Sequence, residues 1–327
     1  MRVLMLTSVW PTAEQPELAP FVVRQARYLR QQGVEVDVFP VRGRKRPGPY
    51  WKAWKEVHGL LARQPYDLVH AQWAQSAIAA LPSKLPLVVT FRGSDVEGIV
   101  SARRRRTASG WLLQKIAWSV ARVANEAILV AARMERRLPR RDYHVIPSGL
   151  DLELFEPCPQ PEAQARLGLA PGRRYILFAA SPDKPEKRFS LARAAVDRLD
   201  PDSRAELIVA AGIDPRLMPL YMNACDVLLL TSAQEGSPNV VKEALACNLP
   251  VVSTDVGDVA DRIGRVDGCE LCQRDDPAVV AAALAAVLKR GRRVKGRAAV
   301  GGLDEAILTR QVIAVYERAL SRNVRCR

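Results

Sequence analysis

The chain has 327 residues, of which 48% are hydrophobic and 26% charged, and a formal net charge of +14. That length and apolar content suit two domains of ordinary size, each with its own core. No run of about 18 apolar residues occurs, which excludes a spanning helix. The six cysteines, at 158, 225, 247, 269, 272 and 326, lack framework spacing and so exclude a disulfide scaffold.

Met1 to Thr7 enters a strand pattern directly, with no charged leader or cleavage site, so no secretory signal is expected and the thiols read as reduced and cytoplasmic. Val3 to Val9 reads as a strand, Phe21 to Gln32 as a helix ending at Gly33, and Val34 to Val41 as a second strand. Strands follow at Asp67–Gln72, Leu87–Phe91, Glu126–Ala131 and His144–Pro147, with helices near 51–64, 75–81, 110–124 and 132–138. The polar, proline-bearing stretch from Phe155 to Arg174 suits a linker. Beyond it the alternation restarts, with strands at 175–180, 206–211, 226–231, 249–254 and 269–272. Such alternation predicts parallel sheets covered on both faces: an α/β chain of two doubly wound, Rossmann-like domains. The domains predicted are 1–154 and 155–302, followed by a final helix within 303–327.

Around residues 231–254 the pattern becomes chemical. Asp226 to Leu230 is a short apolar strand, followed by Gly236, a candidate N-cap at Ser237 and a proline at 238 suited to the first helical position. The first free amides would be those of Asn239, Val240 and Val241, and a helix start aims such amides and a positive dipole end at an anion. Glu235 lies in the loop, and Glu243 lies one face-repeat beyond Asn239, about 6 Å along the axis. Carboxylates beside an anion site are useful if they accept hydrogen bonds from a neutral, hydroxyl-rich group. A sugar nucleotide offers both parts.

Glu235 and Glu243, with the surrounding Asn223 to Val227 and Pro250 to Gly257, resemble the Glu-x7-Glu signature of the retaining glycosyltransferases of family 4, which have the GT-B fold of two such domains facing across a cleft. The resemblance implies that Glu235 contacts the transferred sugar and Glu243 the ribose, with Gly236, Ser237, Pro238, Asn239 and Val240 lining the donor site. It also makes Lys187 the lysine on the donor diphosphate. The customary partner arginine is missing, Pro182 being one of the departures there, and Lys184 is the candidate second cation. Phe91 to Asp95 resembles a His-Gly-Ser-Asp loop with Arg92 in place of histidine, so the resemblance carries Arg92 and Asp95 as catalytic positions, while arginine argues against a general base there. Ala19 stands where a glycine approaches the phosphates, and Ser148 where asparagine is usual at the domain junction. These variants, with Ser237-Pro238-Asn239 and Cys247-Asn248, resemble a branch making teichuronic-type cell-surface polymers. The carboxyl-terminal helix is expected to return to the first domain.

Nothing in the sequence calls for a metal or cofactor. Asp200-Pro201-Asp202 reads as a turn at the amino-terminal edge of the sheet, and Cys269 and Cys272 as positions of a short strand. The charge is uneven: residues 1–150 hold 24 Lys and Arg against 11 Asp and Glu, and residues 151–327 hold 25 against 24. Basic runs at 42–46 and 103–106 lie beside Trp51, Trp54, Trp111, Leu112, Leu113 and Trp118, a composition that fits an anionic bilayer surface better than nucleic acid. The expected protein is a cytoplasmic, peripherally membrane-associated retaining glycosyltransferase. It would move a hexosyl group from a nucleotide diphosphate sugar to a glycan or lipid-linked glycan. The alternatives are a catalytically degenerate GT-B nucleotide-sugar-binding protein and a GT-B sugar-nucleotide epimerase.

Overall fold

A computed structural model describes residues 1–327 except 16, 17, 42–46, 140, 141, 204, 326 and 327. The basic run at 42–46 and Cys326 therefore lie outside the described residues. The chain divides into two compact units, one made of Met1–Ile99, Arg106–Gly149 and Glu305–Arg327, the other of Val100–Arg105 and Leu150–Asp304. The division falls at 149/150 and 304/305 rather than at the boundaries read from composition, and residues 100–105 group with the second unit.

In the first unit six parallel strands, β1 (Arg2–Thr7), β2 (Glu35–Pro40), β3 (Leu68–Gln72), β4 (Leu87–Phe91), β5 (Glu126–Leu129) and β6 (His144–Val145), run in the order β2-β1-β3-β4-β5-β6. Val3 to Leu6, all of β3 and all of β4 are buried on both faces, as near-continuous apolar strands under two helical layers must be. The order reverses between β1 and β3. The carboxyl-terminal helix, Glu305–Arg325, belongs to this unit. Its first residue, Glu305, is buried and accepts from Arg24 Nε at 2.9 Å, and Arg24 Nη2 also donates to the Gly149 carbonyl at 2.6 Å. A Cβ at Gly149 would come within 2.5 Å of the Glu305 carboxylate, so this junction accepts only glycine. Farther along, Arg318 and Arg322 reach the buried Glu126 at 3.2 and 2.9 Å.

The second unit has five parallel strands, β7 (Arg174–Phe178), β8 (Ala205–Val209), β9 (Val227–Leu230), β10 (Val251–Thr254) and β11 (Glu270–Cys272), in the order β11-β10-β9-β7-β8, reversing between β7 and β9. The stretch expected as a linker holds a helix, Gln160–Arg166, tied to the unit by Gln160 and Gln164, each donating to the Ala224 carbonyl at 3.1 Å. Its polar composition reflects these side-chain bonds to a neighbouring helix end. The stretch near 132–138 forms a 3-10 helix, Ala132–Arg137.

Candidate functional site

Open parallel sheets bind ligands outside the carboxyl ends of their strands, where the order reverses. In the second unit that point is flanked by the loops leaving β7 and β9, and the two loops are sewn together. Thr231 Oγ1 donates to the carbonyls of Lys187 and Arg188 at 2.9 and 3.1 Å, and Ala233 N–H to Glu186 O at 2.7 Å. Arg188, buried in the left-handed region at φ 50°, donates through Nε to Thr231 O at 2.6 Å and through Nη2 to Ser232 O at 2.9 Å. Its charge is met by Asp275, with Nη1 2.6 Å from Oδ2, and Arg104 lies on the same carboxylate at 2.8 Å. Those two guanidinium groups hold the Asp275 carboxyl below its usual range.

The result of this stitching is that Lys187 Nζ lies 2.5 Å from Glu235 Oε1, which also accepts from Ser232 Oγ at 2.7 Å. Both long side chains are only partly exposed. Lys187 has three donors, and this bond occupies one of them. Ala179, Ala180, Lys187, Ser232 and Val240 line one hollow above β7 and β9. Lys184 is exposed and lines a different groove, with Pro182, Pro185, Phe189 and Arg193, so it stands apart from that hollow.

The helix after the loop spans Asn239–Ala246, with Pro238 as its N-cap and no side-chain cap. Ser237, expected as the cap, instead donates to Asp258 Oδ2 at 2.9 Å, a carboxylate that Arg262 also reaches at 2.9 Å. Pro238 is consequently the cap rather than the first helical residue. Of the three amides expected to be free, that of Val241 is committed to Pro238 O at 3.2 Å, which leaves those of Asn239 and Val240 facing out of the helix start. Asn239 Oδ1 is buried with no hydrogen-bond partner in the protein. Gly257, at φ +60°, backs the loop: a Cβ there would come 2.9 Å from Gly236 O and 3.2 Å from Glu235 Cβ. Glu243 follows Asn239 by one face-repeat and is half-buried.

In the first unit the corresponding strand ends carry a second polar cluster. Arg92 donates to Gln72 Oε1 through Nε at 3.0 Å, to Gln25 Oε1 through Nη2 at 3.1 Å and to Ser148 Oγ through Nη1 at 2.6 Å. Its guanidinium lies 4.8 Å from the Phe21 ring centroid and 5.9 Å from that of Trp73. Burial brings its pKa down to about 10, so it remains a cation at neutral pH. Asp95 is fully buried, and its oxygens accept from the amides of Ala74, Arg92 and Gly93 at 3.0, 3.1 and 3.0 Å. Asp95, expected among the catalytic positions, directs its oxygens to backbone amides of the Arg92–Gly93 turn and of Ala74. Burial raises its pKa. Ala19 adopts φ 48°, ψ 51° just before the helix Pro20–Gln31, so it takes the glycine conformation while carrying a methyl. Trp73 is at φ 76°, ψ 143°, a region nearly reserved for glycine. Behind it, fully buried His70 bonds Tyr316 OH at 2.6 Å and Thr90 Oγ1 at 2.8 Å, and burial lowers its pKa to about 3.

Among the described residues no group of three His, Cys, Asp or Glu is placed to hold a metal ion. Asp202 N–H donates to Asp200 Oδ1 at 2.9 Å, closing a local turn. Burial pushes the thiols of Cys269 and Cys272 up to about 11, the reverse of what metal thiolates need. No helix among the described residues is long and apolar enough to cross a membrane.

Two family models match the chain: "Glycosyltransferase Family 4" over residues 18–154 and "Glycosyl transferases group 1" over residues 205–290, together more than half its length. A Bacillus subtilis glycosyltransferase named for teichuronic acid biosynthesis is 26% identical over 81% of this chain and 84% of its own. A D-inositol 3-phosphate glycosyltransferase of Catenulispora acidiphila is 24% identical over 92% of this chain and 90% of its own. Among solved structures, sucrose-phosphate synthase from Thermosynechococcus elongatus superposes with a TM-score of 0.81 at 16% identity, covering 98% of this chain and all of that one. The Anabaena HepE protein in complex with UDP and glucose gives 0.69 at 17% identity, covering 97% of this chain and 99% of its own. These likenesses show the GT-B fold.

Proposed function

This chain belongs to glycosyltransferase family 4, and from that premise we propose that it moves a hexosyl group, with retention, from a nucleoside diphosphate sugar to a hydroxyl of a glycan or lipid-linked glycan in cell-surface polysaccharide assembly. One observation carries the donor assignment: Lys187, Glu235 and the Asn239 helix start converge where the second sheet reverses its order. Lys187 and the amides of Asn239 and Val240 take the diphosphate. Their charge and dipoles stabilise it as the leaving group, which is the largest service an enzyme of this class can render. Glu235, paired with Lys187, accepts from hydroxyls of the transferred sugar. Glu243 accepts from the ribose. The chain's own donors meet the charge of the leaving group, and we assign the reaction no metal and no cofactor.

The first unit takes the acceptor, and Arg92 is its fixed hydrogen-bond donor. Nucleoside diphosphate recognition is supported by the UDP and UDP-glucose complexes of Anabaena HepE, and a polysaccharide product by the teichuronic acid relative. A cytoplasmic location, with the basic first unit at the anionic inner face of the cell membrane, completes the reading. The test is a thermal-shift screen of nucleoside diphosphates, followed by hydrolysis of the corresponding sugar donor. At least one diphosphate should raise the melting temperature while its bare nucleoside does not. If no diphosphate raised it, or nucleoside and diphosphate acted alike, the donor assignment would be wrong.

A further inference from the structure

The first unit carries an exposed helix face whose composition specifies a partner more closely than net charge does. On the helix Ala108–Val123 the large apolar residues Trp111, Leu112, Trp118 and Val123 are 56, 55, 40 and 56% exposed. Helical spacing (i, i+7 and i+1, i+12) brings them to one side. Lys115 lies 5.5 Å from the Trp111 ring centroid and Arg122 lies 4.0 Å from that of Trp118, so each tryptophan has a cation one turn on. The helix has no acidic residue. The same device recurs on the helix Pro47–Arg63, where Trp51 is 60% exposed and Lys55 lies 5.4 Å from its ring. Both helices bury their small residues, Ala53 and Val57 on one and Ala117, Val120 and Ala121 on the other, in the same core cluster, and both pack on the segment 74–80.

We infer that this Trp and Lys/Arg face is the element that docks on an anionic lipid surface, its indoles seated at the interface and its cations among the headgroups. The inference deepens the membrane part of the function proposed above and rests on it. Tryptophans beside lysine or arginine on an acid-free helix match an interfacial helix, in which apolar area supplies adhesion and cations select anionic lipid. The arginine run at 103–106 is secondary. Arg104 is committed to Asp275 at 2.8 Å, which leaves Arg103, Arg105 and Arg106 as exposed charges without an apolar face of their own. An aqueous protein partner would be expected to answer some of the cations with acid, whereas a bilayer surface answers cations and indoles together.

Co-sedimentation of the full chain with vesicles of phosphatidylcholine, and of phosphatidylcholine mixed with phosphatidylglycerol, tests this. Binding should need phosphatidylglycerol and fade in 1 M salt, where screening length falls to about 3 Å. Trp111→Ala with Trp118→Ala should lower partitioning about tenfold and reduce the blue shift of tryptophan emission expected of the parent on vesicles. Lys115→Gln with Arg122→Gln should lower it severalfold, and Arg103→Gln with Arg105→Gln and Arg106→Gln by less. A double tryptophan variant that partitions like the parent, or equal binding to both vesicle types, overturns the inference. So does a size-exclusion dimer of the parent that the tryptophan variant loses, which would assign the face to a second copy of the chain. Donor hydrolysis by the parent in vesicle-free buffer separates the two readings. Hydrolysis without vesicle binding leaves the transferase reading intact and sinks this one, and vesicle binding without hydrolysis does the reverse.

Discussion

The two sheets reverse their strand order in the same way, yet the clusters at the two reversals handle charge in opposite ways. In the second unit a cation and a carboxylate, Lys187 and Glu235, meet directly at 2.5 Å with both side chains partly open to solvent. In the first, Arg92 is surrounded by neutral acceptors on Gln25, Gln72 and Ser148, and the nearby Asp95 spends its oxygens on backbone. A partly exposed cation that is already paired can exchange its carboxylate for a phosphate, because one charge-assisted bond replaces another. A half-buried guanidinium already held by two side-chain amides and a hydroxyl serves as a fixed fork of donors. The difference suits a donor site that must grip and release a diphosphate and an acceptor site that must hold one geometry.

The strongest way to break that comparison is to remove the clamp behind the mobile pair. Arg188 holds the carbonyls of Thr231 and Ser232 and pairs with Asp275. Arg188→Ala should cost about 1–3 kcal/mol, the usual penalty for leaving a buried acceptor such as the Thr231 carbonyl unmet, since Asp275 keeps Arg104. It should also weaken diphosphate binding by letting the adjoining Lys187 drift. Arg188→Lys should rescue little, since an ammonium cannot reach two carbonyls and a carboxylate in one plane. Calorimetric melting and titration with the bound diphosphate read the two effects, and a variant with parental values in both would make the clamp irrelevant.

Changes in the site itself come next. Losing one charged hydrogen bond costs about 1.5–3 kcal/mol. Lys187→Ala should therefore lower affinity for a diphosphate roughly tenfold or more while sparing the bare nucleoside, and Glu243→Gln should weaken both. Glu235→Gln should spare diphosphate binding and lower transfer. Equal losses for nucleoside and diphosphate in the lysine variant would make Lys187 a structural residue.

In the first unit, acid is the sharper probe. His70 is held neutral in the fold with a pKa of about 3, against 6.5 in an unfolded chain. The unfolded state thus binds more protons between those values. Stability from this site is complete above the unfolded value and falls as pH drops through the window, by about 1.4 kcal/mol for each pH unit at most. His70→Asn should flatten the acid limb of a melting-temperature profile relative to the parent. Parallel profiles would mean that other groups set the acid limb.

What the sequence discloses of this arrangement depends on how far apart the partners are. The strands were legible because each is a short apolar run between turn residues, and the loop with Glu235 because its strand, loop and helix are contiguous. Ser237 misled as a cap because its partner, Asp258, is on the next loop, where no local rule would find it. Likewise Arg188 and Asp275 meet across 87 positions, and Arg104 and Asp275 across 171. Gln25 and Gln72 resemble any polar residue near a strand or helix end until the fold brings them to Arg92. Trp73 offered one signal, its place at the carboxyl end of a buried strand, but its backbone strain is invisible in composition.

The smallest expected effect concerns Ala19, and it sharpens the comparison at the backbone. Ala19 sits at φ 48°, ψ 51° and is buried at the start of the helix Pro20–Gln31, with its carbonyl accepting from Val22 N–H at 2.9 Å. A non-glycine residue pays roughly 1–2 kcal/mol for that conformation. Glycine would remove this strain but would also free the unfolded chain, at a cost of about 0.4–1 kcal/mol. The two terms nearly offset, so Ala19→Gly should leave the melting temperature almost unchanged or raise it slightly. Ala19→Val should lower it clearly, because a β-branched side chain tolerates the left-handed region worst. A marked fall with glycine would show that the methyl makes a packing contact worth more than the strain it imposes, and that the loop is built around alanine.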